Sequence, residues 1–113
     1  MPFKRRVKNS DLRELVYSAL SPIHGTGLFA KRSIMKGEYI GTYHGPDATR
    51  DGTYVLWVYD KDDEASAIGR SGRNLLRYLN HAVRGNAEFD GFDLYALKDI
   101  KIDQEITFNY QGE

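Results

Sequence analysis

At 113 residues, with 41% hydrophobic and 28% charged side chains, the chain is long enough for one globular domain with a single modest core. It has no Cys, which excludes a disulfide framework, a thiolate zinc site and a cysteine nucleophile, and no apolar run approaches a membrane span or a signal peptide, so a soluble intracellular protein is expected. A net charge of zero conceals a division: residues 1–37 carry eight basic and two acidic side chains, net +6, and residues 38–113 carry eight and fourteen, net −6.

Eight Tyr and eleven Gly against three Pro favour a turn-rich β fold over a helical bundle. The single domain, residues 1–113, is expected to comprise a basic N-terminal arm over 1–13 and a folded core over 14–113. Glu14-Leu-Val-Tyr-Ser-Ala19 reads as a first strand. Ser21 to Gly27 reads as a tight loop, punctuated by Pro22 and by a Gly pair that permits positive φ. Leu28-Phe29-Ala30 resumes an extended run, and Met35 to Glu38 reads as a turn. Tyr39 to Tyr43 alternates like a strand, with Tyr39 and Tyr43 on one face. Tyr54-Val-Leu-Trp-Val-Tyr59 is the strongest strand signal, aromatic and β-branched.

Asp60 to Gly72 is polar, contains Gly and reads as a loop. Asn74 to Leu79 suits a short helix with Leu75, Tyr78 and Leu79 on one face and Asn74 as its cap. Ala87-Glu88-Phe89 and Phe92 to Leu97 follow as extended runs. Asp99 to Asp103 turns into a last strand, Glu105-Ile106-Thr107-Phe108-Asn109-Tyr110. Many short strands and one short helix describe a compact, mostly β domain.

Taken singly, the chemistry-bearing residues are ambiguous. Gly25-Thr26-Gly27 lacks the third Gly of a dinucleotide loop and the Lys-Ser/Thr of a phosphate loop. A tight turn is its plainer reading, and close backbone approach to a ligand is the functional one. His24, His44 and His81 fit no zinc spacing, so no metal is expected. Asn80-His81 reads either as a hydrogen-bonded pair at a helix end or as amide and imidazole groups facing a polar ligand. Tyr110 reads as a strand aromatic, but with Tyr43 and Phe108 it also suits aromatic walls that desolvate a lysine and favour its neutral amine. Lys4-Arg5-Arg6 with Lys8 is too short a cluster, and too poor in stacking aromatics, for direct nucleic-acid binding.

Four blocks in order carry a resemblance: His24-Gly-Thr-Gly-Leu-Phe-Ala30; Lys36-Gly-Glu-Tyr-Ile-Gly-Thr-Tyr-His-Gly45; Arg77-Tyr-Leu-Asn-His81 with Asn86; and Glu105-Ile-Thr-Phe-Asn-Tyr110. From about Leu15 to Tyr110 the chain resembles a SET-domain protein lysine methyltransferase, minimal and without cysteine-rich flanking modules. The resemblance implies a β-clip-like fold of short sheets with a C-terminal pseudoknot, S-adenosylmethionine as methyl donor, no metal, and a lysine-bearing protein substrate such as a histone tail. His24, Gly25, Thr26, Gly27, Tyr54, Arg77, Tyr78, Asn80 and His81 are then expected at the donor site. Tyr110 is expected as the active-site tyrosine, and Tyr43, Phe89 and Phe108 as walls of the lysine channel. Phe at 108, where relatives carry Phe or Tyr, implies capacity for di- or trimethylation.

Two departures bear on this. After Asn80-His81 the usual Ser-Cys-x-Pro-Asn is replaced by Ala82-Val-Arg-Gly-Asn86. The chain also stops three residues after Tyr110, which makes a homodimer that completes the site an expectation. A SET-fold module that binds a basic peptide without turnover is the alternative, and the acidic body suits such a peptide under either reading.

Overall fold

The computed structural model describes residues 9–59 and 67–109. The cluster Lys4-Arg5-Arg6 with Lys8 lies outside them, and so does Tyr110. The first element is helix α1 (Asn9–Leu15), which overlaps both the expected arm and the expected strand from Glu14. Leu12 and Leu15 are buried while Arg13 and Glu14 between them are exposed, a spacing that suits a helix and not a strand. Leu12 is 1% exposed, so the core begins inside the segment assigned to the arm.

Strands β1 (Val16–Leu20), β2 (Thr26–Ala30), β3 (Tyr39–Thr42), β4 (Asp47–Ala48), β5 (Val55–Tyr59) and β6 (Ala67–Ser71) follow. A 3-10 turn (Leu75–Tyr78) then leads to β7 (Asn80–His81), β8 (Ala87–Asp90), β9 (Asp93–Ala96) and β10 (Glu105–Phe108). The main sheet runs β1-β2-β10-β8-β9-β3, with β7 also on β10, and β4-β6-β5 form a second, smaller sheet. The mostly β architecture of short sheets with a threaded last strand is the one expected. Leu28, Ile40, Leu94 and Ile106, each fully buried, bring β2, β3, β9 and β10 into one core, and each such side chain contributes roughly 1.5–3 kcal/mol. No helix among the described residues is long and apolar enough to cross a membrane.

Local departures from the sequence reading have tertiary causes. Strand β6 falls in the stretch read as a loop, where Gly69 and Arg70 weaken any strand signal. It is held by five paired positions against β5, and Gly69 is required because a Cβ there would lie 2.7 Å from the Trp57 ring. A register shift between Tyr39 and Gly41 parts the two tyrosines expected on one face. Tyr39 packs against Tyr95, whereas Tyr43 meets Phe89. The short helix expected after Asn74 is a 3-10 turn over 75–78, and Asn74 makes no side-chain cap. Its Nδ2 donates instead to the Thr42 carbonyl at 2.8 Å.

The connection of β7 to β8 determines where the site lies. β10 runs antiparallel to β2 through Glu105 and Ile106, then parallel to β7 and β8 through Thr107 and Phe108. Phe108 is paired with His81 on one side and with Ala87 on the other, so residues 82–86 must arch over β10. The Ala82 N–H donates to the Phe108 carbonyl at 3.0 Å. Under the arch, a Cβ on Gly85 would stand 2.6 Å from Phe108 Cα and 2.9 Å from the Thr107 oxygen, both backbone atoms with no rotamer to yield. Gly85→Ala should therefore lower unfolding free energy by about 3 kcal/mol in chemical denaturation, the upper range for overpacking. Gly52→Ala, whose Cβ would meet nothing closer than Val55 Cγ2 at 3.5 Å, should stay within about 0.5 kcal/mol of wild type.

Candidate active site

Where β10 emerges from the arch, a cavity of about 180 Å³ opens beside Phe108. The space is comparable with one that accepts a single aromatic ring. Phe108 meets Phe89 edge-to-face at 5.2 Å, and Phe89 meets Tyr43 edge-to-face at 5.8 Å. The three rings expected as channel walls therefore form one continuous aromatic run, in the arrangement ring quadrupoles prefer. The Tyr43 hydroxyl donates to the Tyr54 carbonyl, which also accepts the Gly72 N–H at 2.8 Å. Tyr43 thus offers the cavity its ring while its hydroxyl ties the main sheet to the approach to β5.

Tyr54, Arg77 and His81, all assigned to the donor site from sequence, line the same cavity as the channel rings. Arg77 lies 4.3 Å over the Tyr78 ring and donates from Nη2 to the Tyr78 hydroxyl at 2.6 Å. Its Nη1 donates to the Arg73 and Asn74 carbonyls at 2.8 and 2.9 Å. Tyr78 packs edge-on against Tyr54 at 6.3 Å, so it supports the cavity without lining it. Among the described residues, no group of three or more His, Asp or Glu side chains is gathered for a metal.

The His24–Gly27 segment stands apart from the cavity lining and is joined to it through Asn80. Asn80 Nδ2 donates to the His24 carbonyl at 2.9 Å and to Glu105 Oε2 at 3.0 Å. Both partners are acceptors only, so the amide orientation is determined and Oδ1 is the side-chain atom turned away from them. The two glycines do different work. Gly25 takes a left-handed φ of 48° and returns its carbonyl to the Ser21 N–H at 2.8 Å, the tight turn expected. Thr26 and Gly27, expected in the same loop, lie in β2. A Cβ on Gly27 would strike Glu105 Oε2 and stand 2.9 Å from Ser21 Cβ.

Glu105, named only as the head of a block, and Ser21 are absent from the site residues expected from sequence. Ser21 Oγ lies 2.8 Å from both Glu105 oxygens, across a separation of 84 residues that no local pattern reports. The one available signal was a carboxylate opening a strand whose next two residues, Ile106 and Thr107, are both buried. Asn86, noted only as a motif position, is 7% exposed. Its Nδ2 donates to the Glu105 carbonyl at 2.8 Å and its Oδ1 accepts the Thr107 N–H at 2.9 Å. Tyr110, the expected active-site tyrosine, lies outside the described residues.

The SET domain family model matches residues 25–111, and the chain belongs to the SET domain family. A histone-lysine N-methyltransferase of Emericella nidulans, H3 lysine-4 specific, is 29% identical over 117 positions, covering 84% of this chain and 9% of that protein. A human histone-lysine N-methyltransferase, H3 lysine-36 specific, is 32% identical over 114 positions, covering 79% of this chain and 4% of its own length. This chain thus spans less than a tenth of either relative. Among solved structures, a humanized mutant of the Chaetomium thermophilum Polycomb Repressive Complex 2 aligns with a TM-score of 0.66 at 28% identity, covering 85% of this chain and 14% of that one. The methyltransferase domain of human PR domain-containing protein 2 aligns with a TM-score of 0.66 over 96% of this chain and 90% of its own. At 22% identity that likeness speaks for the fold.

If Gly27 is glycine to admit the Glu105 carboxylate, Gly27→Ala should shift the Asn80 side-chain amide resonances in a heteronuclear NMR spectrum. It should also cost about 1–3 kcal/mol of stability. Unchanged Asn80 amide shifts would show that Gly27 and Glu105 do not press on one another.

Proposed function

We propose that the protein is an S-adenosylmethionine-dependent protein-lysine N-methyltransferase. The observation that carries the reading is the convergence of Tyr43, Phe89 and Phe108 with Tyr54, Arg77 and His81 on one cavity at the exit of the threaded strand. In this reading the aromatic residues receive the substrate lysine and the polar ones, with Asn80 and the His24–Gly27 backbone, hold the donor. When bound, S-adenosylmethionine supplies an electrophilic methyl group on a positively charged sulfur.

The chain's own residues account for the rest. Aromatic walls withhold water from the incoming amine and so disfavour its ammonium form, lowering the lysine pKa. Holding amine and methyl in line can supply roughly 7–11 kcal/mol of the barrier without any group taking a proton in the transition state. Asn80, with both amide protons committed to His24 and Glu105, offers Oδ1 as an acceptor for the cationic amine of the donor. Tyr110 is assigned the organising role at the reacting centre, because a phenol with an ordinary pKa of about 10 is a poor base near neutrality. The relatives that act on histone H3, together with the acidic balance of residues 38–113, support a basic histone-like tail as substrate.

The test is methyl transfer from isotopically labelled donor to a mixture of core histones. Tyr110→Phe should lower kcat about a hundredfold, the scale expected for misplacing reacting groups, with donor affinity unchanged by calorimetry. A wild-type protein that binds basic peptide but neither binds the donor nor turns it over would make the domain a peptide-binding module instead.

The degree of methylation follows from the walls. Phe89 and Phe108 carry no hydroxyl, and the Tyr43 proton is committed to the Tyr54 carbonyl, so the ring run donates no hydrogen bond with which to hold a water against the amine. Di- and trimethyllysine should accumulate at long reaction times in mass spectra, and Phe108→Tyr should shift the product toward monomethyllysine. A wild-type enzyme that stops at monomethyllysine on a well-used substrate would refute this account of the wall.

A further inference from the structure

The geometry points to Glu105 as the positioning residue of the donor site, tying the 21–25 loop to Asn80. This rests on the methyltransferase reading above. Glu105 is half-buried at the start of β10, where its backbone pairs with Phe29 of β2. Its carboxylate receives the Ser21 hydroxyl at 2.8 Å and Asn80 Nδ2 at 3.0 Å. Ser21 in turn accepts the Ile23 N–H on its Oγ at 3.0 Å, and its own N–H donates to the Gly25 carbonyl. Asn80 reaches the far part of the same loop through the His24 carbonyl. One side chain therefore joins the start of the loop, its middle and the first residue of β7.

The backbone of the same residue reaches the other flank of the arch. The Glu105 carbonyl accepts Asn86 Nδ2, so the last residue of the 82–86 arch and Asn80, ahead of its start, are both bonded to Glu105. Two further observations indicate that a hydrogen-bonding side chain, and not merely a filler, is required there. Its bonds to described residues come from a hydroxyl and an amide, and an ionised carboxylate can accept both at once. Gly27 also leaves unfilled the space a Cβ would take from Oε2. Because Asn80 Nδ2 is bound on one side by Glu105, its Oδ1 is held outward. Without Glu105 the amide keeps the His24 carbonyl at 2.9 Å and a long contact to the Thr26 carbonyl at 3.5 Å, and loses its one side-chain partner.

Glu105 acts through Asn80 and the loop and is not placed at the reacting atoms. Its loss should appear in donor binding and not in the chemical step. Glu105→Ala and Glu105→Gln are to be titrated with S-adenosylmethionine by calorimetry, alongside thermal melts and steady-state kinetics. The alanine variant should bind the donor about tenfold more weakly, the effect of losing hydrogen bonds to a charged acceptor. Its KM for donor should rise, with kcat at saturating donor close to wild type and peptide affinity unchanged. Gln, which keeps one acceptor toward Asn80 and can donate to Ser21, should recover most of the affinity.

A folded alanine variant with wild-type donor affinity would overturn the proposal, as would a fall in kcat with KM unchanged. Equal losses in Ala and Gln would also overturn it, because charge and not hydrogen-bond geometry would then be the cause. Should the alanine variant fail to fold, Ser21→Ala removes one arm of the network and should weaken donor binding about threefold, an intermediate hydrogen-bond loss. No change in that variant would count against the proposal. Failure of the wild-type protein to bind S-adenosylmethionine at all would instead refute the methyltransferase reading.

Discussion

The passage of β10 beneath residues 82–86 is the constraint on which the remaining structure depends. A strand enclosed on both sides must satisfy its backbone in a confined space, and Asn86 does this with a side chain. Its amide nitrogen and oxygen meet the Glu105 carbonyl and the Thr107 N–H as the peptide groups of a neighbouring strand would. The Thr107 N–H is buried and would cost about 1–3 kcal/mol if left unpaired, and the Glu105 carbonyl is part-buried. Gly85 supplies the second requirement, absence of volume, where the arch passes over Phe108. Asn86 thus replaces a strand, and Gly85 just before it makes room for one.

The site follows from that passage. Threading sets Phe108 between His81 and Ala87, so a residue near the end of the described chain stands beside one from its middle. It also brings Glu105 to Asn80 and to Ser21, joining three segments that no continuous element connects. The aromatic cavity and the polar network of Ser21, Asn80 and Glu105 are in this sense two ends of one short strand: Glu105 opens β10 on the polar side, and Phe108 closes it against Phe89. A disturbance of the arch reaches both, because neither has an independent support.

Much of this was legible in the sequence. Tyr43, Phe89 and Phe108, expected as channel walls, and Tyr54, Arg77 and His81, expected at the donor site, line one cavity, and that the two sets meet there was not itself legible. Strand β5 was evident because its aromatic and β-branched residues are themselves strand formers. Other features were not local. Strand β6 has a composition that reads as loop and exists because β5 offers it a partner. The helix before β1 shares Leu15 with a sequence that alternates equally well as a strand, and burial of Leu12 decides between them. Asn74 looked like a helix cap by type, yet the carbonyl nearest its amide belongs to Thr42, in another strand.

The sequence by itself determined the family, the order of the blocks and the chemical types at the site, since those reside in residue identity and spacing along the chain. It also determined where backbone freedom was needed, as at Gly25. Only the tertiary structure decided what each residue touches. Gly27 and Gly85 are glycines because of atoms 78 and more than 20 positions away in sequence, on the threaded strand. The roles of Glu105 and Ser21 were decided in the same way. A hydrogen bond between distant residues depends on the path of the backbone, and that path is set by which strands pair, not by any pattern within one of them.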